Sequence, residues 1–370
     1  MRENSMRKLR VAILGASGLV SQRMQQRLSM HPWFELVAVA GRQHGVQLSE
    51  VEWMLEQRRP TILGEIDIQI MDIHSESLAQ NLIDSKVELV FSALPSQPAL
   101  SIEKQLIDAG IHVFSNASAY RMDPEVPLVV ADVNPEALKR SASKPALHAC
   151  ATNCTLIPIL HPLSVLSKHH TIRKVVVRSE QALSGAGWKL VLNEEERNNA
   201  IGKEIAGEAE KIIEEAERIL GLVEVEWDVQ CKRVHEQDGH LVHVQIHLDD
   251  MPTYDLIQSE LNATIQDHIR PLPSQPMNPM TLIQSTPNRQ RDLWSGKTLQ
   301  TPQPSVDLKA GMTTTVHLET VEQGVVSFQA LSHNTIRGAA GGVLLLAELA
   351  HYDNHFASVD LNPSSSSSEP

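Results

Sequence analysis

Two stretches of the chain carry residue types that could do chemistry. Cys154 sits in ATNCTLIPIL, flanked by Asn153 and Thr155 and followed by an apolar, helix-like run. A cysteine at a helix N-terminus feels the positive end of the dipole, which predicts a lowered pKa and a thiolate nucleophile. The second stretch is Gly15-Ala16-Ser17-Gly18-Leu19-Val20-Ser21, directly after a β-branched run and before the helix-like SQRMQQRLSMH. Glycine at 15 permits a tight turn, glycine at 18 lets a pyrophosphate approach the backbone, and the amides of the following helix point at the anion. A plain strand-to-helix turn is the competing reading. Ser21, in place of a third glycine, is expected only to tighten packing. The second strand-like run ends at Ala40 and is followed by Gly41-Arg42-Gln43-His44, with no Asp or Glu. A carboxylate there would suit the ribose hydroxyl of NAD; Arg42 instead favours the 2′-phosphate of NADP.

Strand-like runs at 8–14, 36–40, 87–94 and 110–114 alternate with helix-like segments, among them 99–109. That alternation predicts an α/β fold, a Rossmann-like parallel sheet covered by helices, over residues 1–152. Residues 153–332 predict a second, α+β domain, with strands at 171–178, 222–229, 241–248 and 313–319. A charged, helix-rich stretch spans 194–220, and a Pro- and Gln-rich excursion spans 271–305. The segment 334–351 reads as one strong helix, so 333–357 is expected to pack back on the nucleotide domain. The tail from 358 to 370, with its serine run, is expected to be disordered.

The chain has 370 residues, 32 Lys plus Arg against 45 Asp plus Glu, and a net charge of −13. Length predicts about two domains. The acidic balance argues against binding nucleic acid by bulk charge, though a few local cations can still hold a small anion. Three cysteines, Cys150, Cys154 and Cys231, make no disulfide framework for a chain this long. The polar start shows no secretory signal, and no stretch reads as a membrane span, so a cytoplasmic protein is expected. No metal site is expected.

Many separate motifs, in order, resemble the aspartate-semialdehyde dehydrogenase family, in particular its archaeal and fungal branch. They are GASGLVSQR at 15–23, FSALPS at 91–96, SNASAYRM at 115–122, VPLVVADVN at 126–134, TNCT at 152–155, QALSGAG at 181–187, CKRVHEQDGH at 231–240 and HNTIRGAAGG at 333–342. The resemblance implies NADPH-dependent reduction of L-aspartyl-4-phosphate to the semialdehyde, through a thioester on Cys154. It implies that Gln181 orients substrate and that His240 is the acid/base. Arg233 would clamp the substrate carboxylate, and Arg121 and Lys211 the phosphate. Glu208, in GEAEKI, would meet the substrate ammonium, with Asn153 also on the substrate. For the cofactor NADP(H) it implies that Asn334 and Gly338 lie near the nicotinamide; with Gly15, Gly18 and Arg42 from the residue pattern above, the expected cofactor set is Gly15, Ser17, Gly18, Leu19, Val20, Arg42, Ser92, Ser184, Gly185, Asn334 and Gly338. It also implies a homodimer, or a tetramer of dimers, built through the second domain.

The residue types suit that chemistry independently of the family. A thiolate can attack an acyl phosphate, a guanidinium fork fits a carboxylate, and histidine is a proton shuttle near neutral pH. Glu208 and Lys211, at i and i+3, share a helix face and could simply pair with each other. His161, close to Cys154 in sequence, reads as structural. The chain departs from the family pattern at Ser21, at GRQHGVQ (41–47), at Thr152 where proline is usual, and at TPQPSVDL (301–308), which keeps only Asp307 of its charges. Such departures would suit a paralog from specialised metabolism. Two alternatives stay open: a reductase of another activated acyl group, of malonyl-thioester or N-acyl-glutamyl phosphate type, and a non-catalytic nucleotide-binding paralog. Arg233 with Glu208 favours a substrate bearing both a carboxylate and an amine. Cys154, Gln181 and His240 together speak against the silent paralog.

Overall fold

The structure is a computed structural model and describes residues 7–65, 68–263 and 269–356. The serine-rich tail therefore lies outside the described residues.

The first sheet is parallel throughout, as expected from alternating strands and helices. Its order is β3-β2-β1-β4-β5-β6. These strands are β1 (Leu9–Leu14), β2 (Phe34–Gly41), β3 (Met71–Asp72), β4 (Leu89–Ser92), β5 (His112–Ser115) and β6 (His148–Cys150). The strand order reverses between β1 and β4, which is where open parallel sheets form a crevice beyond the strand ends. The glycine-rich turn opens on that crevice. Gly15 has φ of +101°, and a Cβ there would sit 3.2 Å from the Ala93 carbonyl oxygen, so only glycine fits without strain. Ser21 is fully buried under this turn.

The second sheet is mixed, in the order β10-β11-β12-β9-β7-β8. Its strands are β7 (Ile172–Gln181), β8 (Glu226–Arg233), β9 (His240–Leu248), β10 (Met280–Leu282), β11 (Thr314–Glu322) and β12 (Val325–Ser332). The helix Ile157–His169 packs its apolar face on this sheet, in a core with Val175, Val177, Val244, Val316 and Phe328. Alternate residues of β7 and β9 on the other face, including Lys174, Arg178, Glu180 and His243, are only half-buried.

Two segments differ from their sequence expectation, and β3, β6, β10 and β12 stand where no strand was expected. The strand expected at 222–229 lies at Glu226–Arg233. Gly221, left-handed at φ +67°, ends the preceding helix, and Glu224 is also at positive φ, so the chain turns before it extends. The charged stretch 194–220 is helix-rich as expected, with two helices, Glu194–Ala200 and Glu208–Leu220, separated at Gly202 and Gly207, both at positive φ. The segment 334–351 is not one regular helix. A π-helical turn at Ile336–Ala340 precedes the α-helix Gly341–Tyr352. That α-helix is almost wholly buried against the first sheet, with Val343 to Ala350 packed among Val11, Ile13 and Phe91. The excursion at 271–305 contains β10 and the short helix Arg289–Asp292. Asp307 orders its own loop by accepting from the backbone N–H groups of Thr298 and Leu299.

Candidate active site

Each functional side chain enters from a strand end or the turn after it. Cys154 follows β6 in a turn that leads into the helix Ile157–His169. Gln181 closes β7, Arg233 closes β8 and His240 opens β9, which brings three distant segments to one end of the second sheet. The Cys154 Sγ lies 3.3 Å from the His240 Nε2.

The imidazole is held from behind. The Ala182 backbone N–H donates to Nδ1 of His240 at 3.1 Å. In this orientation Nδ1 is an acceptor, so the neutral ring carries its proton on Nε2, facing the sulphur. Burial, with Arg233 and Arg289 nearby, holds His240 well below the usual histidine range. The ring is neutral at physiological pH.

The thiol corrects an expectation. Its pKa is not lowered; it is pushed up to about 12. Burial is the main cause and the Glu208 carboxylate adds to it. Arg121, Arg233 and the Thr155 hydrogen bond offset only part. The helix itself begins at Ile157, so the local dipole argument overlooked both the distance and the desolvation. We expect iodoacetamide alkylation of Cys154 in the free protein to rise about tenfold per pH unit between about pH 7 and pH 10, because the thiolate fraction grows that way below the pKa. A plateau near neutral pH, read by peptide mass spectrometry, would refute the raised pKa.

A cleft of about 260 Å³ opens over the sulphur. Val20, Asn116, Arg121, Asn153, Cys154, Ser184, Gly185, Glu208, Lys211, Asn334 and Gly338 are among the residues lining it. Arg121 is buried; burial opposes its charge, but the Glu215 carboxylate outweighs that and holds it raised. Glu208 accepts from the Asn153 and Gln181 side-chain amides at 3.0 and 3.1 Å. Lys211 lies 3.8 Å from Glu208 and is far more exposed. Arg233 donates to the Ala182 carbonyl oxygen at 2.6 Å. A Cβ on Gly185 would sit 3.0 Å from both Arg233 and His240. A Cβ on Gly338 would sit 2.6 Å from the Cβ of Cys154, so the π-helical turn reaches the nucleophile only as glycine. Asn334 is fixed by Gly239 N–H and by the Ser184 hydroxyl, each at 2.8 Å.

A second cleft, about 390 Å³, is lined by Gly15, Ala16, Ser17, Gly18, Gly41, Arg42, His74, Leu94 and Trp188, among others. Arg42 is exposed, and among the described residues no carboxylate pairs with it. Leu19 and Ser92 are buried and line neither cleft; around Ser92 the wall is formed by Ala93 and Leu94 instead. A larger groove of about 760 Å³ runs along Arg7, Arg10, Phe34 and Ile62, away from every residue above.

The sequence reading missed Trp188, whose indole N–H donates to the Ser17 carbonyl oxygen at 3.1 Å, across the glycine turn. It also missed Glu215, although seven residues past Glu208 is the same helix face. His161 is buried against Thr314 and Asp132, away from the thiol. No group of three or more metal-ligating side chains occurs among the described residues. Among them also, no helix is long and apolar enough to cross a membrane.

Residues 10–141 match the family model described as semialdehyde dehydrogenase, NAD binding domain. The chain is 33% identical to the aspartate-semialdehyde dehydrogenase of Archaeoglobus fulgidus, over 92% of this chain and 97% of that protein. It is 32% identical to the enzyme of the same name from Aspergillus fumigatus, over 93% and 97%. The crystal structure of aspartate-semialdehyde dehydrogenase with NADP from Candida albicans superposes with a TM-score of 0.78 at 27% identity, covering 94% of this chain and 99% of that one.

Proposed function

The chain belongs to the aspartate-semialdehyde dehydrogenase family, and from that premise we propose that it reduces L-aspartyl-4-phosphate to L-aspartate 4-semialdehyde and phosphate with NADPH, reversibly. The observation that carries the reading is the contact of Cys154 with His240 in a cleft that also holds Arg121, Lys211 and Glu208.

The Cys154 sulphur attacks the acyl carbon as its S–H bond breaks, and phosphate leaves toward Arg121 and Lys211, whose charges stabilise it, taking up the thiol proton. Arg233 takes the substrate α-carboxylate, Glu208 its ammonium, and Gln181 with Asn153 holds the acyl group over the sulphur. An acyl carbon bonded to Sγ brings its oxygen within reach of the His240 Nε2–H. That donor serves the oxygen as negative charge develops there, and serves the sulphur when the thiohemiacetal collapses.

The second cleft fits a dinucleotide on the chain's own features: a turn where Gly15 admits no Cβ, helix amides behind it, and Trp188 across the opening. Gly15, Ser17 and Gly18 would hold the pyrophosphate and Arg42 the 2′-phosphate. Asn334, Gly338, Val20, Ser184 and Gly185 would flank the nicotinamide. Bound there, NADPH supplies the hydride.

Arg42→Ala is expected to raise KM for NADP about tenfold or more, the scale of a lost hydrogen bond to a charged group. NAD should change little. Equal losses for both cofactors would remove Arg42 from the phosphate site.

We place residues 1–152 in the nucleotide domain and 153–332 in the catalytic domain, and a second copy of the chain on the half-buried face of β7 and β9. Three unpaired thiols suit a reducing compartment, and we assign the enzyme to the cytoplasm. The test of the substrate is a steady-state assay in the phosphorolytic direction, comparing aspartate semialdehyde with aldehydes lacking the amine or the carboxylate. Equal rates with those analogues would overturn the assignment.

A further inference from the structure

Glu215 is 2% exposed, yet it lies two helical turns from Glu208, on the face of the helix Glu208–Leu220 that meets the nucleophile segment. Its carboxylate accepts three hydrogen bonds. The Arg121 guanidinium donates to Oε1 at 2.9 Å. The Thr152 hydroxyl and the Asn153 backbone N–H donate to Oε2 at 2.7 and 2.6 Å. Arg121 is steadied a second time by the Asn116 carbonyl oxygen at 2.7 Å. Glu208 holds the same segment further along, through the Asn153 side chain and the Thr155 hydroxyl. Two carboxylates seven residues apart on one helix thus bracket the turn that carries Cys154.

We propose that Glu215 is a positioning residue for the reaction, fixing the phosphate-facing Arg121 and the Cys154 turn relative to each other. The proposal rests on the reading of the reaction given above. An acyl phosphate spans the two groups that Glu215 joins: its carbon must meet the sulphur while its phosphoryl oxygens meet the guanidinium. A single rigid acceptor holding both sets that separation before substrate arrives. Only a carboxylate can do so, because all three partners are donors. A glutamine amide would turn an N–H₂ toward one of them. The Thr152 hydroxyl, at the start of the nucleophile turn, ties that turn to Glu215 through a side chain as well as through the Asn153 backbone.

The test uses the full chain in the phosphorolytic assay with Glu215→Gln and Thr152→Val. For Glu215→Gln, kcat/KM for phosphate should fall about thirtyfold or more while KM for NADP stays within about twofold. Thr152→Val should lose about three- to tenfold with the same split. The double variant should lose little beyond Glu215→Gln, since both act through one carboxylate. A change within twofold for Glu215→Gln, or an equal loss in NADP binding, overturns the proposal. If Glu215→Gln does not fold, the split for Thr152→Val decides. If the parent shows no phosphate-dependent NADP reduction, the substrate reading has failed and Glu215 is judged by thiol alkylation. A shift of the Cys154 iodoacetamide rate of about fivefold or more in Glu215→Gln then supports it, and a rate within twofold overturns it.

Discussion

Cys154→Ala is expected to abolish phosphate-dependent reduction of NADP by aspartate semialdehyde, with kcat down by at least about 10⁴-fold. The fold should be untouched. Cys154 is only partly buried, at the wall of a cleft, so removing its sulphur empties no closed cavity in the core. No other thiol can substitute. Cys150 is fully buried on β6 and Cys231 is 1% exposed on β8. Burial raises both of them, Cys231 to about 11. Circular dichroism and thermal unfolding should match the parent. Activity above about one percent of the parent in a folded variant would sink the nucleophile assignment, because a lost covalent route leaves no comparable path.

The second largest effect is expected at His240→Ala. The loss should lie in turnover, about 10² to 10³-fold in kcat, with KM for aspartate semialdehyde changed only a few-fold. The reason is geometric. Nδ1 is occupied by the Ala182 N–H, so the ring has a single working edge, Nε2, and that edge faces the sulphur. A group that serves charge appearing only during the reaction contributes to the transition state more than to binding. The pH dependence has a definite sign. A histidine held well below its usual range takes up its proton only in acid, so His240 adds no fall in kcat between about pH 6 and pH 8. A loss confined to KM, measured by steady-state kinetics, would contradict the role.

Much of this was legible in the chain. The parallel sheet followed from strands alternating with helices, and the glycine turn from its place between β1 and the helix Leu19–Leu28. Part of what was missed has a local cause. β3 has two residues and β6 and β10 have three each, too short to show any periodicity, whereas β12 was missed although its eight residues alternate from Val326 to Ala330. The helix expected through 334–351 breaks into a π-helical turn because Gly338 must approach the backbone of Cys154, a partner 184 positions away, and no neighbouring residue signals that.

The site divides the same way. Residue types and motifs marked Cys154, Gln181, Arg233 and His240 as a set, since side-chain chemistry is a property of each residue wherever it lies. Protonation state is not. A thiol expected to be acidic is raised, because packing removes water from it and brings Glu208 to it across 54 positions of chain. The dipole of a helix is written in consecutive residues; desolvation, and the three donors that meet on Glu215, exist only once the chain has closed on itself.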